Sequence, residues 1–377
     1  MKKLICALLA LSLCLLCGCA GGPAETTAAP TEAVTEAPTT VPPTQAPTEA
    51  PTEAPTEAPT EVPTEAPTEP PVVFTNPLTG EILEEETDTR LFAVTINNIK
   101  AAMPMYGVSK ADIFFEMFVN DYCTRGLALF SDIRDVKYVG SVRSLRYNFL
   151  DVAQAYDAIV CHASGSKEVL SRLGPEGVNN ISVEMEGSGY FFRDQGRKNA
   201  GYAHEHTLFI KGAETLEYAQ NKGLRVTREA DRDFGLRFTA GDPAADGEAA
   251  STVTIHLKHG SITKTNTMTY REDRGEYLFN QFGSAMYDAS EEQDICFKNV
   301  IVMFCNVTNQ GVYHVAQLEG SGEGMLACNG KIIPIRWIHE EETDPFTFTY
   351  ADGTPLELGI GSSYIAFAPM KSTVEYQ

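Results

Sequence analysis

Residues Asp157 to Gly174 read DAIVCHASGSKEVLSRLG, and within them one kind of regular structure hands over to another. Asp157 to Ser164 hold a short apolar run that reads as a buried strand. Ser166 follows as an N-cap and Gly174 as a stop, bounding a complete short helix. A strand that feeds a helix is the unit of a mixed α/β domain. His162 lies at the handover, where α/β folds tend to place ligands, although a core histidine with its bonds satisfied fits the same position.

The surrounding chain extends this pattern. LFAVTIN (Leu91 to Asn97) is an apolar strand, and DIFFEMFVN and TRGLALF flank Asp121 and Tyr122 as the arms of a hairpin. RYNFLDVAQAY carries Phe149, Leu150 and Ala153 at helical spacing, and GAETLEYAQNKG is a second capped helix. A mixed α/β domain over residues 72–240 is predicted. TAGDPAADGEAAS (Thr239 to Ser251) is a polar boundary of small residues. Beyond it strands dominate, and LACNGKII (Leu326 to Ile333) signals a two-residue hairpin. Residues 251–370 are therefore predicted to form a β-rich domain, a roll or sandwich, which makes the chain α+β.

Upstream of residue 72 the composition changes. MKKLICALLALSLCLLCGC has a charged start, a short apolar run and a small-residue end, the pattern of a secretory leader. Its LCGC resembles a bacterial lipobox, so residues 1–19 are predicted to be a lipoprotein signal peptide, with Cys19 the lipidated residue. Residues 20–71 repeat Thr, Glu, Ala and Pro with no apolar face, and are predicted to form a disordered tether. These features predict an extracytoplasmic protein held to the cell membrane by its lipid, on a Gram-positive type of surface. The net charge is −22, and nine Glu against Lys2 and Lys3 in residues 1–71 leave −15 on the remainder. Such a body is a poor match for nucleic acid, and any anion must meet a local cluster of cations. Five cysteines follow the leader region, Cys123, Cys161, Cys296, Cys305 and Cys328. Their odd number and apolar settings predict buried thiols.

Two clusters of cations stand out. In GSVRSLRYNF, Arg143 and Arg146 precede a helix that Ser141 or Ser144 could cap. Arginines in a first helical turn oppose the macrodipole unless an anion sits above them, or unless acids such as Asp112, Glu116, Asp132 or Asp151 pair with them. RDQGRKNAGYAHEHT (Arg193 to Thr207) adds Arg193, Arg197 and Lys198 with His204 and His206. That composition suits one wall of an anion-binding cleft or a paired surface loop better than a metal site, which would need a third ligand. No P-loop, dinucleotide loop, HExxH or nucleophile elbow is present, so no metal and no cofactor is predicted.

NPLTGE, SKADIFFE, TRGLALF, GSVRSLR, AYDAIVCHASGS and FFRDQGRK, in that order, resemble the YerB-like family of bacterial lipoproteins, a family of unknown function. The resemblance runs from Asn76 to Pro369 and brings address and architecture without an activity. Glu116, Arg125, Arg143, Ser144, Arg146, Asp157, His162, Arg193, Arg197 and Lys198 match the family pattern. Ile99 and Met103 replace an expected His and Arg, and the loop before His206 is longer. The expected function is a binding module for an anionic envelope ligand, with Glu116, Arg125, Arg143, Ser144, Arg146, His162, Arg193, Arg197, Lys198 and His206 as its ligand-binding set. Two other readings stay open: an enzyme of phosphoryl transfer or hydrolysis acting on phosphorylated envelope material, with Glu116 or His162 as base, and a scaffold for a protein partner.

Overall fold

The computed structural model describes residues 73–183 and 190–377. The expected leader, Cys19 and the tether of residues 20–71 lie outside the described residues. In the first half, β1 (Phe92–Asn98), β2 (Ile113–Asn120) and β3 (Cys123–Phe130) lie in the order β2-β3-β1, antiparallel at each step. Helix α1 (Tyr147–Ala155) then leads to β4 (Ile159–His162), parallel to β1. Helix α2 (Lys167–Leu173) leads to β5 (Asn180–Ser182), parallel to β4. The hydroxyl of Ser166 accepts from the Val169 N–H at 3.3 Å, as its position before α2 predicts. Helices α3 (Gln195–Asn199) and α4 (Gly212–Asn221) follow.

The second half supplies the meander β6 (Thr252–His259), β7 (Ile262–Arg271) and β8 (Glu276–Gln281). Burial alternates along β6, so one face of this sheet meets the core and the other meets solvent. Next come β9 (Asn299–Cys305), β10 (Val307–Gln310), β11 (Tyr313–Ala316), β12 (Gly320–Cys328), β13 (Lys331–His339), β14 (Ser363–Pro369) and β15 (Thr373–Tyr376). The predicted β12-β13 hairpin turns at Asn329 and Gly330, both at positive φ (51° and 75°), a geometry that Asn-Gly adopts readily.

The strands do not divide by sequence half. A sheet of eleven strands among the described residues contains the order β13-β12-β9-β14-β2-β3-β1-β4-β5. Its centre is β14, which runs parallel to β9 on one side and to β2 on the other. All seven residues of β14 are buried, which accounts for the unbroken apolar run SYIAFAP. The expected roll or sandwich within the second half did not include this shared sheet. One face of the large sheet packs on β6, β7 and β8 through Phe114, Phe118, Tyr364, Val253, Met268 and Phe279. The other face carries α1 and α2 through Phe115, Ile365, Phe367, Phe149, Leu150 and Val169.

The start of α1 differs from its prediction. Neither Ser141 nor Ser144 caps it; the N-cap is Arg146, in extended backbone and without a side-chain bond to the helix. Residues 143–145 are committed elsewhere. The Arg143 N–H donates to the Thr95 carbonyl at 2.9 Å, and the Leu145 N–H to the Ser164 carbonyl at 2.6 Å. Those bonds hold the segment extended until Arg146, so Arg143 stands outside the helix.

Because β14 joins the halves, they should unfold together. Calorimetry of the described body should show one transition, and Ile365→Ala should cost about 2–5 kcal/mol. A fragment of residues 72–240 should show no cooperative melt, since β2 would lose its neighbour.

Candidate functional site

The β2-β3 hairpin decides which predicted residues can meet. Its register pairs Glu116 with Gly126 and Met117 with Arg125, and then shifts between Phe118 and Asn120. Directly opposed residues share a face and successive residues alternate, so Glu116 and Arg125 point to opposite sides of the sheet. Glu116 faces the second sheet. It is fully buried and accepts from Thr124 Oγ1 (2.6 Å), Asn266 Nδ2 (2.8 Å) and Tyr364 OH (2.9 Å). Nearby, burial lowers Lys264 to about 8 although Glu116 pulls it upward. This network ties the sheets together.

Arg125 faces the helix side, where Arg143, Ser144 and Arg146 come to meet it. Its Nη1 donates to the Ser144 carbonyl at 2.9 Å, and only 5% of the residue is exposed. Arg146 donates from Nη1 to the Leu145 carbonyl at 2.7 Å, and its guanidinium lies 4.8 Å from the Tyr313 ring centroid on β11. Arg143 Nη1 reaches the Glu205 carbonyl at 3.4 Å, and Ser144 Oγ lies 3.2 Å from Ser164 Oγ. Burial, followed by the like charges of Arg146 and Arg143, pulls Arg125 below the ordinary guanidinium range. Arg146 is lowered by burial, with Arg143 adding to the effect and Tyr313 opposing it. Among the described residues no carboxylate forms an ion pair with Arg125 or Arg146. Of the acids considered as their partners, Asp112 bonds Asn76 and Ser131, Asp132 pairs with Arg134, and Asp151 pairs with Arg172. Asp157 holds Arg90 and Arg225. Arg146 Nε and Ser141 Oγ are buried atoms without a partner among the described residues. The arrangement is a cluster of hydrogen-bond donors and positive charge, suited to an oxyanion.

The other predicted residues divide. His206 joins the cluster at one remove, with its Nδ1 2.7 Å from Nδ2 of Asn97, the cross-strand partner of Arg125. Arg193 donates to the His204 carbonyl at 2.8 Å. Arg197 is buried, donating to the carbonyls of Ala102 (2.9 Å), His206 (3.0 Å) and Pro104, with Tyr106, Tyr202 and Phe209 around its guanidinium. Its donors serve the fold. Lys198 is exposed on α3. His162 donates from Nδ1 to the Ser164 carbonyl at 3.0 Å and lies 3.3 Å from Asn180 Oδ1 through Nε2. His204 and His206 occupy a 3-10 turn, one exposed and one buried, and do not share a face as an extended HxH would. No group of three or more possible metal ligands occurs among the described residues. The five cysteines form no disulfide among the described residues, and burial pushes Cys296, Cys305 and Cys328 up to about 11, 12 and 11.

Asn97 and Tyr313 were not foreseen. The Asn pair ending the apolar strand FAVTINN was the available signal for the first. Tyr313 lies in the other half of the chain, and nothing local connects it to the arginines.

Two family domains match the chain, together covering more than half of it. The "Protein of unknown function (DUF3048) N-terminal domain" matches residues 78–225, and the corresponding C-terminal domain matches residues 253–365. The chain belongs to the DUF3048 family. It is 26% identical over 301 residues to "Putative lipoprotein YerB" of Bacillus subtilis strain 168, covering 78% of this chain and 86% of that relative. The crystal structure of YerB protein from Bacillus subtilis shares the fold, with a TM-score of 0.68 at 22% identity, over 80% of this chain and 99% of that one. The family domains bear out the YerB-like resemblance and a two-domain organisation, with the two domains meeting in one sheet.

His206 gives the site a pH signature. Burial is the main cause of its lowered pKa, opposed by Glu205 and reinforced by Arg143 and Arg197. The fold thus favours the neutral ring, and its contribution is complete above the free imidazole value of about 6.5. It is lost as pH falls through the lower folded value. Urea unfolding between about pH 7.5 and 5 should show declining stability, with a shallower decline in His206→Gln.

Proposed function

We propose that this protein is a lipid-anchored binding module of the bacterial cell surface, and that its cluster of Arg125, Arg143 and Arg146 takes an anionic ligand of the envelope. Support for the address comes from the lipobox-like LCGC ending at Cys19, the Thr, Glu, Ala and Pro repeat that follows, and a relative whose name is that of a lipoprotein. A membrane on one side and a wall ligand on the other are the partners of such a module.

The observation that carries the binding assignment is the grouping of Arg125 and Arg146, lowered first by burial and then by neighbouring like charge, with no carboxylate paired to either among the described residues. Clustered like charges in a fold destabilise it unless a counter-charge is supplied. Here a ligand carrying phosphate or carboxylate would supply it, using Arg146 Nε and Ser141 Oγ as further donors. The net charge of the chain is −22, so long-range attraction works against such a ligand and contact at the cluster must provide the affinity.

The phosphoryl-transfer or hydrolytic reading fares less well, for a geometric reason. A general base must reach the reacting group. Glu116 lies on the opposite face of the sheet and is bonded to three donors, while His162 is bonded to Ser164. The scaffold reading remains as the outcome in which no small anion binds.

Removing one buried guanidinium should relieve repulsion and abolish binding together. Arg125→Met should leave the unliganded melt unchanged or raised by up to ~2 kcal/mol. Inorganic pyrophosphate and phosphate-bearing wall fragments should raise the melting temperature of the unaltered protein, by about 2.7 kcal/mol at ~100 times Kd, with no rise in the variant. An equal shift in both, or none in either, would remove the assignment.

A further inference from the structure

The β10-β11 hairpin forms a two-stranded sheet by itself and joins neither of the two large sheets. Its root is pinned to α1, where Asn148 donates from Nδ2 to the Ala316 carbonyl and accepts the Ala316 N–H at Oδ1, both at 2.8 Å. The Gln317 N–H closes the root on the Asn306 carbonyl at 2.7 Å. Beyond the root, Thr308, Asn309 and Gln310 on the outer strand and Gly311 and Val312 in the turn are exposed. The inner strand β11 therefore decides whether the hairpin stays down.

Two successive residues of β11 do different work, because side chains alternate along a strand. Tyr313 covers the arginine cluster, with the Arg146 guanidinium 4.8 Å from its ring centroid and the Tyr147 ring 6.4 Å away. His314 points the other way and holds the hairpin to the body. Its Nε2 donates to Asp121 Oδ1 at 2.8 Å, in the β2-β3 turn. Its ring centroid lies 4.0 Å from that of His259, at the end of β6, and Phe118 stands 6.2 and 6.0 Å from the two rings.

We infer that the β10-β11 hairpin is a flap over the arginine cluster, shut by the contacts of His314 with Asp121 and His259 and released when His314 takes up a proton. With Nε2–H given to Asp121, the neutral ring keeps its lone pair on Nδ1, a buried atom without a partner among the described residues. A proton added there creates a buried donor with no acceptor, and sets a positive charge against the His259 ring. Release at the tip with the root held by Asn148 would carry Tyr313 away from Arg146.

The direction of the response follows from the surroundings. Burial lowers His314; the bond and charge of Asp121 oppose this, and His259 reinforces it. Asp121 from the β2-β3 turn and His259 from β6 are the titratable groups beside His314, while Arg146 and Tyr147 lie on the Tyr313 side of the strand. The fold favours the neutral ring, so the latch is complete above the free imidazole value of about 6.5 and is lost as pH falls through the lower folded value.

The test is hydrogen–deuterium exchange of the full chain without ligand, at about pH 7.5 and about pH 5, corrected for the intrinsic pH dependence of amide exchange. Peptides over residues 307–316 should lose at least about tenfold in protection at the lower pH, while residues 363–369 keep theirs. His314→Gln retains an N–H for Asp121 and has no titrating ring, so its hairpin should be protected alike at both pH values. Asp121→Ala should release the hairpin already at about pH 7.5, lowering its protection by roughly threefold or more and speeding phenylglyoxal labelling of Arg146. The Asp121 side chain is 69% exposed, so this variant is read on a folded protein even if His314→Gln is not. Equal hairpin protection at both pH values, an equal loss in residues 363–369, or an undiminished pH response in folded His314→Gln would overturn the latch. Unchanged labelling of Arg146 in Asp121→Ala would overturn the flap. That the uncovered arginines take an anion rests on the binding assignment above, but no ligand enters these measurements. A failed melt shift with pyrophosphate thus leaves the flap standing, and a fixed hairpin leaves the binding assignment standing.

Discussion

The parallel seating of β14 between β9 and β2 is the contact on which the architecture rests. A parallel neighbour cannot be supplied by a tight turn, so a distant segment must deliver it. Here residues 363–369 pair with residues 113–117 across some 250 positions of sequence. Both core layers then form on the two faces of that join. Phe114 and Tyr364 contribute to one layer, and Phe115 and Phe367 to the other. The arginine cluster depends on it too, because Tyr313 reaches Arg146 from the second half of the chain.

Two groups of charged side chains are held apart on the helix side of the sheet. Among the described residues Arg125 and Arg146 are held without a carboxylate, whereas Asp151, Glu176 and Glu342 share Arg172. Exchanging partners between the two groups would neutralise both, and the backbone prevents it. Arg143 and Ser144 are fixed in extended backbone by β1 and by residues 163–164, while Arg172 is fixed on a helix by the Ser166 cap. Rigid elements thus keep opposite charges from pairing across the two groups.

Local signals were legible wherever the determinants were local. Ser166 and Gly174 bounded α2, Asn329 and Gly330 made their turn, and the apolar runs marked the strands. The ligand-binding set was less legible because it depended on parity. With a regular two-residue turn at Asp121 and Tyr122, the pairing of Asn120 with Cys123 would continue unchanged and put Arg125 opposite Phe118, on the same face as Glu116. The register shift at Val119 changes that count by one and sends Arg125 to the other face. A bulge of this kind has no strong local signature. The helix start at Arg146 was hidden for a similar reason, since the bonds that delay it come from Thr95 and Ser164.

Chain order gives the central strand a temporal meaning. Synthesis proceeds from the N-terminus, so β2 is made with one edge open and stays open until residues 363–369 have been produced. Over that interval neither core layer is complete. Closure of the sheet is therefore a late event in synthesis, and it completes both core layers at one join.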